Sequence, residues 1–176
     1  MFQNEKKLTV MQGTYTVSTE PNVVLSTVLG SCVAVCAYDE LAGIGGMNHI
    51  LLPGTGEHTD GQSMLYGANL MELLLNDLFS KGARRKQLKF KIFGGANLHE
   101  SSLNVGSQNI DFISMYVEEE RLDVISSSLN GSLGRQIEFQ PVTGRTRQKF
   151  LMKPSIDETH KPLPKNSLNA GELDLF

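Results

Sequence analysis

Short runs of β-branched and apolar residues, punctuated by Gly, Asn and Asp, fill the first third of the chain. Leu8-Thr9-Val10 and Tyr15-Thr16-Val17, separated by Gly13, lead into Val23-Val24-Leu25, and all three read as short strands. Val33 to Tyr38 and Ile44 to Leu52 are longer runs flanking Asp39-Glu40-Leu41-Ala42-Gly43, a pattern that predicts a hairpin. The densest loop signal, Pro53 to Gly61, follows its second arm. The period then changes. Met64, Ala68, Met71, Leu75 and Leu78 recur at helical spacing, with Asp60 or Ser63 as N-cap and Gly82 as the stop. Leu88, Phe90 and Ile92 alternate with Lys89 and Lys91, as in a strand with one wet face. A second helix carries Ile110, Ile113 and Val117, with Ser107 as its expected cap. Leu122 to Ile125, Gln136 to Phe139 and Lys149 to Met152 complete about eight short strands, with a hairpin at Pro141 to Gly144. Such a mixture predicts an α/β fold, a single-domain layered sandwich of mixed or antiparallel sheet with two amphipathic helices.

From Pro154 onward the periodicity stops and proline and polar residues take over, so residues 154–176 are expected to be a disordered tail beyond a domain of residues 1–153. The tail ends in Gly171-Glu172-Leu173-Asp174-Leu175-Phe176. This acidic-apolar tip reads either as a docking peptide or as a frayed end.

Composition narrows the function classes. The 176 residues are 40% hydrophobic and 20% charged, enough for one domain with a proper core. A net charge of -3 gives no reason to expect nucleic acid as a partner. No apolar run approaches the roughly 20 residues of a membrane span, and Met1 to Lys7 lacks a signal-peptide core; a cytoplasmic protein without membrane insertion is expected. The two cysteines, Cys32 and Cys36, would lie about 13 Å apart along a strand, too far for a disulfide or for a shared zinc ion. Gly94-Gly95 lacks both the spacing of a dinucleotide fingerprint and a P-loop lysine, and no cofactor or metal is expected.

Candidate chemistry collects at Gly30-Ser31-Cys32 and Asn48-His49. A hairpin centred between Glu40 and Leu41 sets Cys32 directly across from His49, and cross-strand partners have Cβ atoms roughly 5 Å apart. A slip of one residue would put the two on opposite faces. A thiol and an imidazole at that spacing form the working pair of a cysteine hydrolase, with a thiolate favoured by a neighbouring imidazolium. Backbone N–H groups of Ser31 and Cys32 are candidates for an oxyanion hole. Cys36 reads as a small buried hydrophobe, and His58, His99 and His160 as solvated side chains. A metal-dependent hydrolase using His49, His58 and Cys32 is a minor alternative.

Leu29-Gly30-Ser31-Cys32-Val33-Ala34-Val35-Cys36 followed by Gly45-Gly46-Met47-Asn48-His49 and Leu52-Pro53 resembles the CheD family, the chemoreceptor glutamine deamidases of bacterial chemotaxis. The resemblance continues through Phe93-Gly94-Gly95-Ala96, Asn104-Val105-Gly106 with Asn109, and Thr143-Gly144, covering roughly residues 8 to 153. It implies Cys32 as nucleophile, His49 as base, and Ser26 at the place of a catalytic threonine. Thr27 has the family's residue type but, in an extended segment, the opposite face. Further implications are glutamine side chains of methyl-accepting chemotaxis receptors as substrate, a possible methylesterase side activity, a CheC-type phosphatase as partner, and a likeness to deamidating toxins such as cytotoxic necrotizing factor. The rival from another class is a catalytically silent module that only docks to receptors or to such a phosphatase. Asn97-Leu98, where the family favours a Met-Phe type of pair, marks a departure near the substrate groove.

Overall fold

The computed structural model describes residues 5–52, 61–98 and 104–152. Asp60, the three histidines other than His49, most of the Pro53 to Gly61 segment and residues 154–176 lie outside them. Among the described residues the chain forms nine strands and two α-helices in two sheets. The first sheet has the order β1 (Lys6–Thr9), β3 (Val23–Leu29), β8 (Arg135–Phe139), β9 (Thr146–Phe150). The second runs β2 (Tyr15–Ser18), β5 (Ile44–Ile50), β4 (Val33–Asp39), β6 (Lys89–Gly94), β7 (Val124–Leu129). The β1–β3 and β6–β7 pairs are parallel and the rest antiparallel.

Alternation along the strands builds two cores. On one face of β4, Ala34 and Cys36 meet Val23, Leu25, Leu29, Ile137 and Phe139 of the first sheet. On the other face, Val33, Val35 and Ala37 pack under α1 (Gly61–Ser80) and α2 (Val105–Glu119) through Leu70, Leu74, Leu78, Phe112 and Ile113. The result is a three-layer sandwich, sheet on sheet on helices, which agrees with the expected α/β class. Strand β4 is central and buried along its whole length, which is why it reads as an unbroken apolar run rather than an alternating one.

Four local expectations change. Ser63 lies inside α1 rather than capping it, and the N-cap position of α2 is Asn104, three residues before Ser107, with no side-chain capping bond. Strand β3 continues past Leu25 to Leu29, which carries Ser26 and Thr27 into the sheet. The β4–β5 turn is centred between Leu41 and Ala42, one position later than expected, because the Asp39 carboxylate accepts the Ala42 N–H at 3.0 Å and Gly43 takes a positive φ of 65°. Ala34, not Cys32, is therefore the direct partner of His49. The displacement moves the pairing by two residues, so the side-chain parity survives.

Candidate active site

Cys32 stands at the entrance to β4, and the preceding turn is held by three carbonyls. The Gly30 carbonyl accepts the Ala96 N–H at 2.9 Å, the Ser31 carbonyl accepts Asn109 Nδ2 at 2.8 Å, and the Cys32 carbonyl accepts the Gly95 N–H at 2.8 Å. Gly94 makes this docking possible. Its φ is 116°, and a Cβ there would sit 2.1 Å from the Cys32 carbonyl oxygen. The loop after β7 closes behind it, the Asn130 N–H bonding the Gly94 carbonyl and the Asn97 N–H bonding that of Gly131. Buried Arg135 clamps that loop by donating to the Ser128 and Asn130 carbonyls.

His49 is brought to the same inter-sheet face by parity. It lies opposite Ala34, two residues along from Cys32, so thiol and imidazole are diagonal neighbours on adjacent strands. The ring is 6% exposed. Its Nδ1 is 2.8 Å from Thr27 Oγ1 and 3.3 Å from the Val10 carbonyl. Thr27 donates its own hydroxyl proton to that Val10 carbonyl at 2.9 Å, so its oxygen is left to accept from Nδ1–H. This fixes the tautomer: Nε2 carries the lone pair. Among the described residues Nε2 is buried without a hydrogen-bond partner.

The hydroxyl that meets the His49 ring is thus Thr27's and not Ser26's. Thr27 shares the inward face of β3 with Leu25 and Leu29. Ser26 alternates to the outer face, where its cross-strand partner Glu138 meets Lys7 and Arg147. Parity excludes having both at the ring, and the apolar inner face decides between them. Thr27→Val is expected to lower turnover about tenfold, the worth of one buried hydrogen bond of 1 to 1.5 kcal/mol, while Ser26→Ala stays within about twofold of wild type. Equal losses in steady-state assays of the two variants would contradict this assignment.

The turn between β1 and β2 roofs the pair. Gly13 N–H donates to the His49 carbonyl at 2.8 Å, His49 N–H to Thr14 at 3.0 Å, and Val10 N–H to Ser26 at 2.9 Å. The turn brings Gln12 to the thiol, its Oε1 lying 3.9 Å from Cys32 Sγ. Leu98, 40% exposed, lies over Gly30, where a Cβ would come within 2.7 Å of its side chain. Burial pushes the Cys32 thiol up, its own backbone N–H opposing part of that rise. Burial also pulls His49 below the ordinary imidazole range, with the Val10 carbonyl opposing. Both shifts favour a neutral thiol beside a neutral imidazole, because neither charged form is well solvated here. The expected thiolate–imidazolium pair would form against both of these shifts. Cys36, wholly buried in the inter-sheet core, has its thiol pushed far up by desolvation and fits the hydrophobic role expected of it.

Two contributors were given no role in the sequence reading. Gln12 sits in a turn whose contact with Cys32 depends on long-range docking. Asn109 had a local signal, a single amide on the apolar stripe it shares with Phe112, Ile113 and Tyr116, where a buried polar group demands partners. Among the described residues no cluster of His, Cys, Asp or Glu could hold a metal ion, and no helix is long and apolar enough to cross a membrane.

A model of the CheD family, described as CheD chemotactic sensory transduction, matches residues 51–150. Similarity to whole relatives extends across the Cys32 and His49 strands as well. A probable chemoreceptor glutamine deamidase CheD of Agrobacterium fabrum is 47% identical over 175 residues, covering 97% of both chains. One from Caulobacter vibrioides is 42% identical over 174 residues, covering 97% of this chain and 93% of its own. Among solved structures, the hypothetical protein YfiH of Bacillus licheniformis matches 68% of this chain and 51% of its own, with a TM-score of 0.47 and 10% identity.

Proposed function

The chain belongs to the CheD family, and from that premise we propose that it deamidates glutamine side chains of methyl-accepting chemotaxis receptors, with Cys32 as nucleophile and His49 as base. The observation that carries the chemistry is the Thr27 contact to His49 Nδ1, which leaves a basic, unpartnered Nε2 on the face that also bears the Cys32 thiol.

The steps follow from those atoms. Nε2 takes the thiol proton as sulfur attacks the carboxamide carbon, so charge develops together with bond formation instead of resting on a preformed ion pair. The oxyanion turns toward the backbone N–H groups of Ser31 and Cys32, each such donor being worth roughly 3 kcal/mol in other enzymes. The C–N bond then breaks and Nε2–H protonates the leaving nitrogen, releasing ammonia and a thioester. Water enters, gives a proton to Nε2 and attacks the thioester carbonyl; the sulfur departs, recovers the proton, and glutamate is the product. Thr27 holds the ring in the required tautomer throughout, as the third member of a triad does. The same thioester route would accept a glutamyl methyl ester, with methanol as leaving group, which makes methylesterase activity a chemically consistent second reaction.

Purified protein incubated with a cytoplasmic receptor fragment is expected to add about 1 Da per converted glutamine and to do so in the presence of a strong chelator. No conversion would favour the silent docking module instead. A CheC-type phosphatase fits as the regulator through family resemblance, and a pull-down with such a phosphatase tests that pairing. The pH profile gives a further check. Since His49 must be neutral to act and its pKa lies below the ordinary value, the acid limb of kcat/KM is expected to have its midpoint below about pH 6.5. An acid limb with its midpoint above that value would contradict the role given to His49.

A further inference from the structure

We propose that Asn109 is a positioning residue that sets the oxyanion donor of this site by fixing the sense of the Ser31–Cys32 peptide. The inference rests on the deamidase reading above. Asn109 lies on α2, is fully buried, and spends both ends of its carboxamide on the site. Its Oδ1 accepts the Leu52 N–H at 2.9 Å, just past the end of the His49 strand, and its Nδ2 donates to the Ser31 carbonyl at 2.8 Å. Because one end is claimed by an N–H, the other end must be the amino group, so the orientation is determined by its partners.

The consequence is geometric. A trans peptide is planar with its C=O and N–H pointing in opposite directions, so drawing the Ser31 carbonyl toward α2 turns the Cys32 N–H away from the helices. Away from the helices is the inter-sheet face, where the thiol and His49 lie. The flanking carbonyls of Gly30 and Cys32 are held by Ala96 and Gly95, which leaves the central peptide as the one whose sense depends on a side chain. Were it to turn over, the Ser31 carbonyl would face the negatively charged oxygen of the intermediate. Asn109 thereby joins the nucleophile turn and the base strand through one amide.

The test compares two reactions of the same sulfur. Amide attack creates an oxyanion, whereas alkylation by iodoacetamide displaces iodide and creates none at carbon. Asn109→Asp keeps the acceptor for Leu52 N–H but sets a carboxylate oxygen against the Ser31 carbonyl. It is expected to lower kcat for receptor-fragment deamidation about 100-fold, with KM and the alkylation rate of Cys32 within about twofold of wild type. Asn109→Ala, which withdraws the donor without adding charge, is expected to show the same split. Alkylation slowed as much as turnover in both variants would mean that Asn109 only supports the fold, and unchanged kcat would equally overturn the inference. A wild-type chain without turnover overturns the deamidase reading and this inference together; active wild type with unaffected variants overturns this inference alone.

Discussion

Cys32→Ala is expected to lower receptor-fragment deamidation by at least about 10⁴-fold, because the substitution removes the sulfur on which the thioester forms. The only other thiol, Cys36, lies in the inter-sheet core at 0% exposure, held protonated by desolvation. Folding should hardly notice the substitution. Cys32 Sγ makes one long contact, 3.9 Å to Gln12, and removing the sulfur withdraws about 1 kcal/mol of burial. Conversion measured by mass spectrometry beside a thermal melt separates lost chemistry from lost structure. A Cys32→Ala protein that folds and still converts glutamine would remove the nucleophile from the mechanism.

His49→Gln is expected to cost about 10³-fold in kcat, within the range that general acid–base groups supply elsewhere. The amide cannot accept the thiol proton, and it cannot return one to the departing ammonia. Stability should move in a specific way. The folded pKa of His49 is depressed, so the unfolded chain binds the extra proton more readily. Its contribution is present above the unfolded value of about 6.5 and is lost as pH falls through the lower folded value. In the Gln variant that part of the acid sensitivity disappears. Denaturant midpoints of wild type and variant between neutral pH and mildly acid pH should therefore converge; parallel curves would contradict a buried neutral imidazole.

Most of the architecture could be read from hydrophobic period alone, because the strands alternate or run apolar and the helices repeat at helical spacing. The β4–β5 hairpin was legible in kind but not in register. Asp39 looked like a turn residue, yet it stays in the strand opposite Ile44 and uses its carboxylate to shape the turn. The candidate pair survived this error because a displacement of two residues preserves the face. Thr27 rather than Ser26 meets the His49 ring for the complementary reason. Their opposite parity was evident from the sequence, but which parity faced inward depended on β3 running on to Leu29 and on the first sheet covering the second. The desolvation that raises the Cys32 thiol and lowers the His49 imidazole was not legible at all, since it is a property of the assembled layers.

The most direct measurement is peptide-resolved mass spectrometry of enzyme quenched with acid while turning over a receptor fragment. A covalent adduct is expected on the peptide containing Cys32, joined through the glutamine carbonyl with loss of ammonia, and absent both from Cys36 and from Cys32→Ala. Glutamine converted to glutamate with no adduct on Cys32, at a rate the Cys32→Ala chain matches, would contradict thioester chemistry at this thiol.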